Sequence, residues 1–204
     1  MRDRLLLFAI ALTALYGGYY WGNQQRPSTS GEEQLRRVTQ PIAVSAFLLT
    51  DDRGEPFTER ELKGHWNLLF FGYARGEETK VMLTLASRIY NRLAASPDLQ
   101  SAFRAVLISV DPVHDTAEEL HRLVGSYNDG FIALTGSNDE TEILAEQFGA
   151  RYRASGDRLS QDYRIEHSSS MALVDPNGDL LGLFTGIVDP VGIAANIRTL
   201  SENR

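Results

Sequence analysis

The sequence predicts an α/β protein: a sheet of mixed strand direction flanked by helices, preceded by one membrane-crossing helix. Three observations carry that expectation. Two nearly continuous apolar runs of strand length, Trp66–Tyr73 and Ala105–Val110, bracket a segment with helical apolar spacing, the pattern of a βαβ unit whose strands are buried on both faces. Near the C-terminus, Ser170–Val174 and Leu180–Thr185 flank Asp175-Pro176-Asn177-Gly178, in which Asn-Gly signals an antiparallel hairpin. At the other end, Leu5–Trp21 carries no charged side chain.

In order along the chain, Leu5–Trp21 is just long enough as a helix, at ~1.5 Å per residue, to cross a hydrocarbon core. Arg2 and Arg4 precede it and place the N-terminus in the cytoplasm. Tyr16, Tyr19, Tyr20 and Trp21 cluster where an aromatic belt meets the far interface. No small-x-small cleavage site follows, only GGYYWGNQQ, so the segment reads as an uncleaved anchor rather than a signal peptide. Asn23 to about Thr39 is polar and holds Pro27, Ser28, Ser30 and Gly31, as a tether does. The expected division is therefore cytoplasmic residues 1–4, anchor 5–21, tether 22–40 and folded domain 41–204.

Within that domain, Ile42–Thr50 runs into the turn signal Asp51-Asp52-Arg53-Gly54 and then Glu55-Pro56-Phe57, which predicts a hairpin. Thr58 and Glu61 make a capping box for a short helical turn, with Phe57 in the staple position. After the Trp66–Tyr73 strand, Met82, Leu85, Ile89 and Leu93 recur at helical spacing, and Ala105–Val110 completes the crossover unit. The next helix opens on overlapping boxes, Asp115 with Glu118 and Thr116 with Glu119. Phe131–Thr135 is a short strand. Ser137 starts a helix ending near Phe148-Gly149, and Val191–Leu200 closes the chain as a helix.

Composition narrows function before any motif does. The 204 residues are 43% hydrophobic and 23% charged, a packed globular composition with room for one core. A net charge of -7 argues against a nucleic-acid partner, which needs clustered Lys and Arg. There is no cysteine, so disulfides, thiol nucleophiles, dithiol redox chemistry and thiolate metal ligands are excluded. Ser168, Ser169 and Ser170 beside His167 do not make a hydrolase, because a nucleophile needs its base within hydrogen-bond reach and not merely next in sequence. No phosphate loop, zincin motif or nucleophile elbow is present. A non-enzyme is expected.

Several ordered strings resemble the Sco/SenC family. They are Leu49-Thr50-Asp51-Asp52-Arg53-Gly54 with Phe57-Thr58, then Leu62-Lys63-Gly64-His65-Trp66-Asn67-Leu68-Leu69-Phe70-Phe71-Gly72-Tyr73. Ile108-Ser109-Val110-Asp111-Pro112-Val113-His114-Asp115-Thr116, Leu134-Thr135-Gly136-Ser137, and His167-Ser168 through Leu173-Val174-Asp175-Pro176-Asn177-Gly178 continue the match. The resemblance implies a thioredoxin-like fold tied to copper delivery for cytochrome c oxidase. It also implies an anchored domain facing the periplasm from the inner membrane, or the intermembrane space in a eukaryote.

Family members carry Cys-x-x-x-Cys directly after the Phe-Gly-Tyr strand, and a distant histidine supplies a third copper ligand. Here, without gaps, Gly76 and Lys80 fall on the two cysteine positions, and His167 matches the histidine. Cu(I) is held by soft sulfur, which one imidazole cannot replace. Glu77, Glu78 and His167 could make a harder site for Cu(II) or Zn, with Lys80 opposing it by charge. Glu77 and Glu78 also suit a solvated helix N-terminus, and His167 a hydrogen-bonded strand end. His114 sits in a loop where Asp115 reads as a helix cap, and His121 reads as a surface residue.

The expected function is a thiol-free accessory binding protein in oxidase or respiratory-chain assembly or copper homeostasis. It meets a protein partner, an oxidase subunit or assembly factor, through the site edge Glu77, Glu78, Asp111, His114, Asp115 and His167. No cofactor is expected, copper being the metal to test. Two alternatives stay open: an altered Cu(II) or Zn site at His167, and a structural pseudo-redox module of another envelope complex.

Overall fold

The computed structural model describes residues 16, 35–155, 164–167, 170–186 and 189–203. Its centre is set by two long, largely buried strands. All seven residues of β4 (Trp66–Gly72) are buried, and it runs parallel to β5 (Phe103–Ser109) from Trp66 opposite Phe103 to Gly72 opposite Ser109. Such strands must be covered on both faces, and the side-chain alternation shows how. Leu68, Phe70, Ala105 and Leu107 enter one apolar layer, while Leu69, Phe71, Val106 and Ile108 enter the other.

The first layer is completed by α1 (Glu77–Arg92), α3 (Ala117–Gly125) and α5 (Pro190–Glu202), through Leu83, Ile89, Leu120 and Ile193. A short α2 (Pro97–Ala102), opened by Pro97, adds Leu99 and was not foreseen. The second layer is closed by α4 (Asn138–Gln147) and its end, with Leu144, Ala145 and Phe148. It also takes in Leu49 of β2 (Leu48–Asp51) and Phe57 of β3 (Pro56–Thr58).

With β1 (Leu35–Ala43), β6 (Ile132–Thr135), β9 (Met171–Val174) and β10 (Asp179–Phe184), the sheet runs β1-β10-β9-β4-β5-β6-β2-β3. β5 and β6 are parallel to β4, while β9, β10, β1, β2 and β3 pair antiparallel with their neighbours. The expected mixed sheet covered by helices is the observed one. A separate two-stranded ribbon, β7 (Tyr152–Ser155) with β8 (Arg164–His167), has no counterpart in the sequence reading. Its strands are too short and polar to stand out.

Local signals that are self-contained hold. Asp51 Oδ1 accepts from the N–H groups of Arg53 (2.9 Å) and Glu55 (2.8 Å) and closes the β2–β3 turn, with Gly54 at φ 87°. The capping boxes Thr58/Glu61 and Thr116/Glu119 both form. Ser137 caps α4, and Asp189 caps α5.

The start of the domain differs from the expectation. Residues 35–40, assigned to a tether ending at 40, belong to β1, which pairs with β10. β1 is an edge strand, eight of whose nine residues are not buried, so its sequence is polar and lacks the alternation that marks a strand. Ile42–Thr50 is accordingly not one strand but the end of β1, a connection and β2. Apart from Tyr16, the anchor segment Leu5–Trp21 lies outside the described residues. Among the described residues no helix is long and apolar enough to cross a membrane.

Candidate functional site

The C-terminal ends of β4 and β5 bring together the loops that carry most of the expected site. Val110 N–H donates to Gly72 O at 2.9 Å, tying the two strand ends. The chain then turns through Tyr73–Gly76, closed by Gly76 N–H on Tyr73 O at 2.9 Å, and enters α1 with Gly76 as its N-cap. Thr79, fully buried in the first turn, accepts the Tyr73 N–H at Oγ1 (3.0 Å). Glu77 and Glu78 lie exposed at the positive end of the helix. Lys80 Nζ reaches Glu77 Oε1 at 2.6 Å, and that bond holds the ammonium above its ordinary range. Thr79 was missed by the sequence reading; a threonine inside the first turn of an apolar-faced helix is its only signal.

The second wall comes from the loop after β5. Asp111 and Asp115 are both buried, 0% and 3% exposed. The Asp111 carboxylate lies 3.0 Å from His114 Nδ1. Asp115, read as a helix cap, is not one: Thr116 caps α3 and Asp115 turns inward. Its carboxylate accepts from Ser109 Oγ at 2.6 Å and from Ala74 N–H at 3.0 Å, joining the β5 end to the loop after β4. Of two overlapping capping boxes only one can place its first residue at the helix start, and Thr116 wins it, leaving Asp115 free for the interior. Burial pushes the Asp115 carboxyl up to about 6 despite these two donors.

The remaining candidates separate. His167 is in β8 opposite Tyr152; its side chain lies outside what the structure describes. His121, read as a surface residue, is 56% exposed in its side chain yet lies 2.6 Å through Nδ1 from Oδ2 of the buried Asp52. Asp52 is also bonded at Oδ1 by Ala133 N–H, so the pair ties α3 and β6 to the β2 turn, away from the β4 and β5 ends.

The donor set does not fit Cu(I). Gly76 offers no side chain, and the ammonium of Lys80, held by Glu77, has no lone pair to give. The space is closed as well: a Cβ at Gly76 would lie 2.9 Å from Tyr73 Cε1 and 2.8 Å from Thr79 Oγ1. Among the described residues no group of three or more His, Asp or Glu side chains converges to hold a metal ion.

Fold and site together define a thioredoxin-like domain of the Sco type in which the helix-opening loop after the central strand carries neither thiol. The SCO1/SenC family model matches residues 36–202, and the chain belongs to that family. It is 28% identical over 199 residues to the human mitochondrial SCO1 homolog, covering 95% of this chain and 64% of that protein. The crystal structure of Arabidopsis thaliana ScoI with copper bound superposes with a TM-score of 0.71 at 24% identity, over 78% of this chain and 99% of that one. BsSco, described as a member of the Sco family of cytochrome c oxidase assembly proteins, superposes with a TM-score of 0.61 at 22% identity, over 83% and 100%.

Proposed function

We propose that this protein is a membrane-anchored, non-enzymatic Sco/SenC protein that serves oxidase assembly by binding a partner and does not carry copper through thiols. The observation that carries the proposal is the pairing of a preserved frame with an emptied centre. The loops after β4 and β5 are fastened to each other through Asp115, Ala74 and Ser109, while the chain has no cysteine and, aligned without gaps, Gly76 and Lys80 fall where the family resemblance puts the sulfurs. A frame kept without its sulfurs supports recognition rather than redox chemistry. Glu77, Glu78 and His114 at its rim supply the polar contacts, with the exposed Val81 and Val113 beside them.

In this reading Leu5–Trp21 anchors the chain in the inner membrane with residues 1–4 cytoplasmic, and the domain faces the periplasm or its mitochondrial equivalent. The partner class, an oxidase subunit or assembly factor, rests on family membership and on what BsSco is described as doing.

Capture from detergent-solubilised membranes with the anchored protein as bait tests the proposal. Oxidase subunits or their assembly factors are expected in the eluate, and a Glu77→Lys/Glu78→Lys bait should lose them. Their absence from the wild-type eluate overturns the partner class. Stoichiometric metal in the purified protein that His167→Ala abolishes would overturn the metal-free reading. The double substitution Gly76→Cys/Lys80→Cys is expected to destabilise the fold by about 1–3 kcal/mol, because the new Cβ at 76 meets Tyr73 and Thr79.

A further inference from the structure

At the opposite end of β4 and β5 from the emptied centre, the strand starts border a cleft of about 810 Å³. Its apolar lining is Tyr90 and Ile132, both half-buried, with the nearly buried edges of Phe57 and Phe103 behind them, and edge-to-face contacts of Phe103 and Tyr90 with Phe131 stiffen one side. Arg104 and His65 stand in the same lining.

Arg104 is held in place by neutral groups. Its Nε donates to Asn67 Oδ1 at 2.7 Å, and Nη2 donates to the carbonyl oxygen of Glu61. Asn67, fully buried, is fixed in turn by donating to Leu62 O at 2.7 Å and His65 O at 2.8 Å. The guanidinium carbon lies 5.6 Å from the centroid of the Phe57 ring. No carboxylate of the described residues lies within ion-pairing distance of Arg104. Glu61, whose carboxylate accepts from Thr58 N–H and Oγ1, both at 2.6 Å, acts on Arg104 through its charge without pairing with it, and Asp51 closes the β2–β3 turn.

Burial lowers the Arg104 guanidinium to about 10, so it stays charged at neutral pH while having given up much of its water. A partly desolvated, immobilised cation with donors to spare is a prepared seat for an anion. The lining also carries the carboxylates of Asp51, Glu55, Glu61 and Asp129 and one further cation, Arg53, so a polyanion is disfavoured there. The half-buried Tyr90 and Ile132 in the same lining suit an apolar body joined to that charge.

We infer that this cleft binds a monocarboxylate carried on an apolar body, the carboxylate meeting Arg104 and the body lying against Tyr90 and Ile132. The chemistry is shared by the C-terminal end of a peptide with an apolar last residue and by a free aryl-alkyl acid.

Three probes titrated into the full chain in detergent, followed by NMR or calorimetry, test it: N-acetyl-leucyl-phenylalanine, its C-terminal amide, and 3-phenylpropanoate. Saturable binding of at least one acid is expected, with the amide about tenfold or more weaker than its acid. A dipeptide acid clearly tighter than phenylpropanoate assigns the site to peptide ends, and equal affinity assigns it to free acids. Arg104→Gln should abolish acid binding. Because that change also leaves Asn67 Oδ1 unpaired, Ser101→Glu serves as a second variant: Ser101 is an exposed lining residue, and a carboxylate there should weaken the acids about tenfold while sparing the amide. Equal binding of acid and amide, no saturation by about 10 mM probe, or acid binding unchanged by Ser101→Glu overturns the inference.

Discussion

Asp115 shows how one residue can hold two loops and titrate in an unusual range for doing so. Its carboxyl accepts from Ser109 and Ala74, which favours the ionised form, but burial dominates and sets its value near 6 against an ordinary 3.8. Between those values the native state keeps a proton that the unfolded chain has released. The contribution is therefore full below about pH 4 and is lost as pH rises through about 6, by about 3 kcal/mol at most. Asp115→Asn removes this slope while keeping an acceptor for Ala74. Urea unfolding should show the variant gaining on the wild type by about 1–3 kcal/mol between pH ~4 and pH ~7. A variant that tracks the wild type across that range would contradict the burial described here. None of this was readable in sequence, where Asp115 followed by Glu118 is as good a capping box as Thr116 followed by Glu119.

Among the elements, β1 is held from one side. It lies at the edge of the sheet, pairs only with β10, and shifts register between Arg37 and Ile42. Gly182 of β10 is what lets the two backbones approach: a Cβ there would sit 2.5 Å from Arg36 O and 2.9 Å from Arg37 Cα. Gly182→Ala should therefore release β1 rather than unfold the domain. Amide exchange over residues 35–43 is expected to rise to loop-like rates while β4 and β5 remain protected, at a cost of about 1–3 kcal/mol. Protection of residues 35–43 equal to that of the wild type would count against this close approach. Central and edge strands differ in legibility for a physical reason. β4 and β5 must be apolar because both faces are covered, whereas β1 is specified by backbone pairing that leaves no pattern in its side chains.

In the whole molecule, two apolar layers share one sheet, and that sharing couples them. Leu107 on β5 faces the α1, α3 and α5 layer, and Leu134 on β6 faces the α4 layer, both fully buried. Leu107→Ala and Leu134→Ala should each cost about 2–5 kcal/mol. Each should still give one unfolding transition, coincident by tryptophan fluorescence and far-UV circular dichroism. Two separated transitions in either variant would mean that the layers unfold independently. The same arrangement puts the loops after β4 and β5 and the Arg104 cleft at opposite ends of these strands, so ligands at one do not compete for space at the other.

The central apolar strands, the capping boxes and the hairpin turns could be read from residues close together in the chain, and the family from ordered strings along it. The absence of any cysteine, and with it of thiol chemistry, was equally plain there. What the polar residues do became visible once the chain was folded. Asp115 left its cap to bind Ala74, 41 residues away, and His121 found Asp52, 69 residues away. Arg104 came to rest on Asn67 and Phe57 at the mouth of a cleft. Polar side chains find their partners through space, and no periodicity in the sequence records which partner that will be.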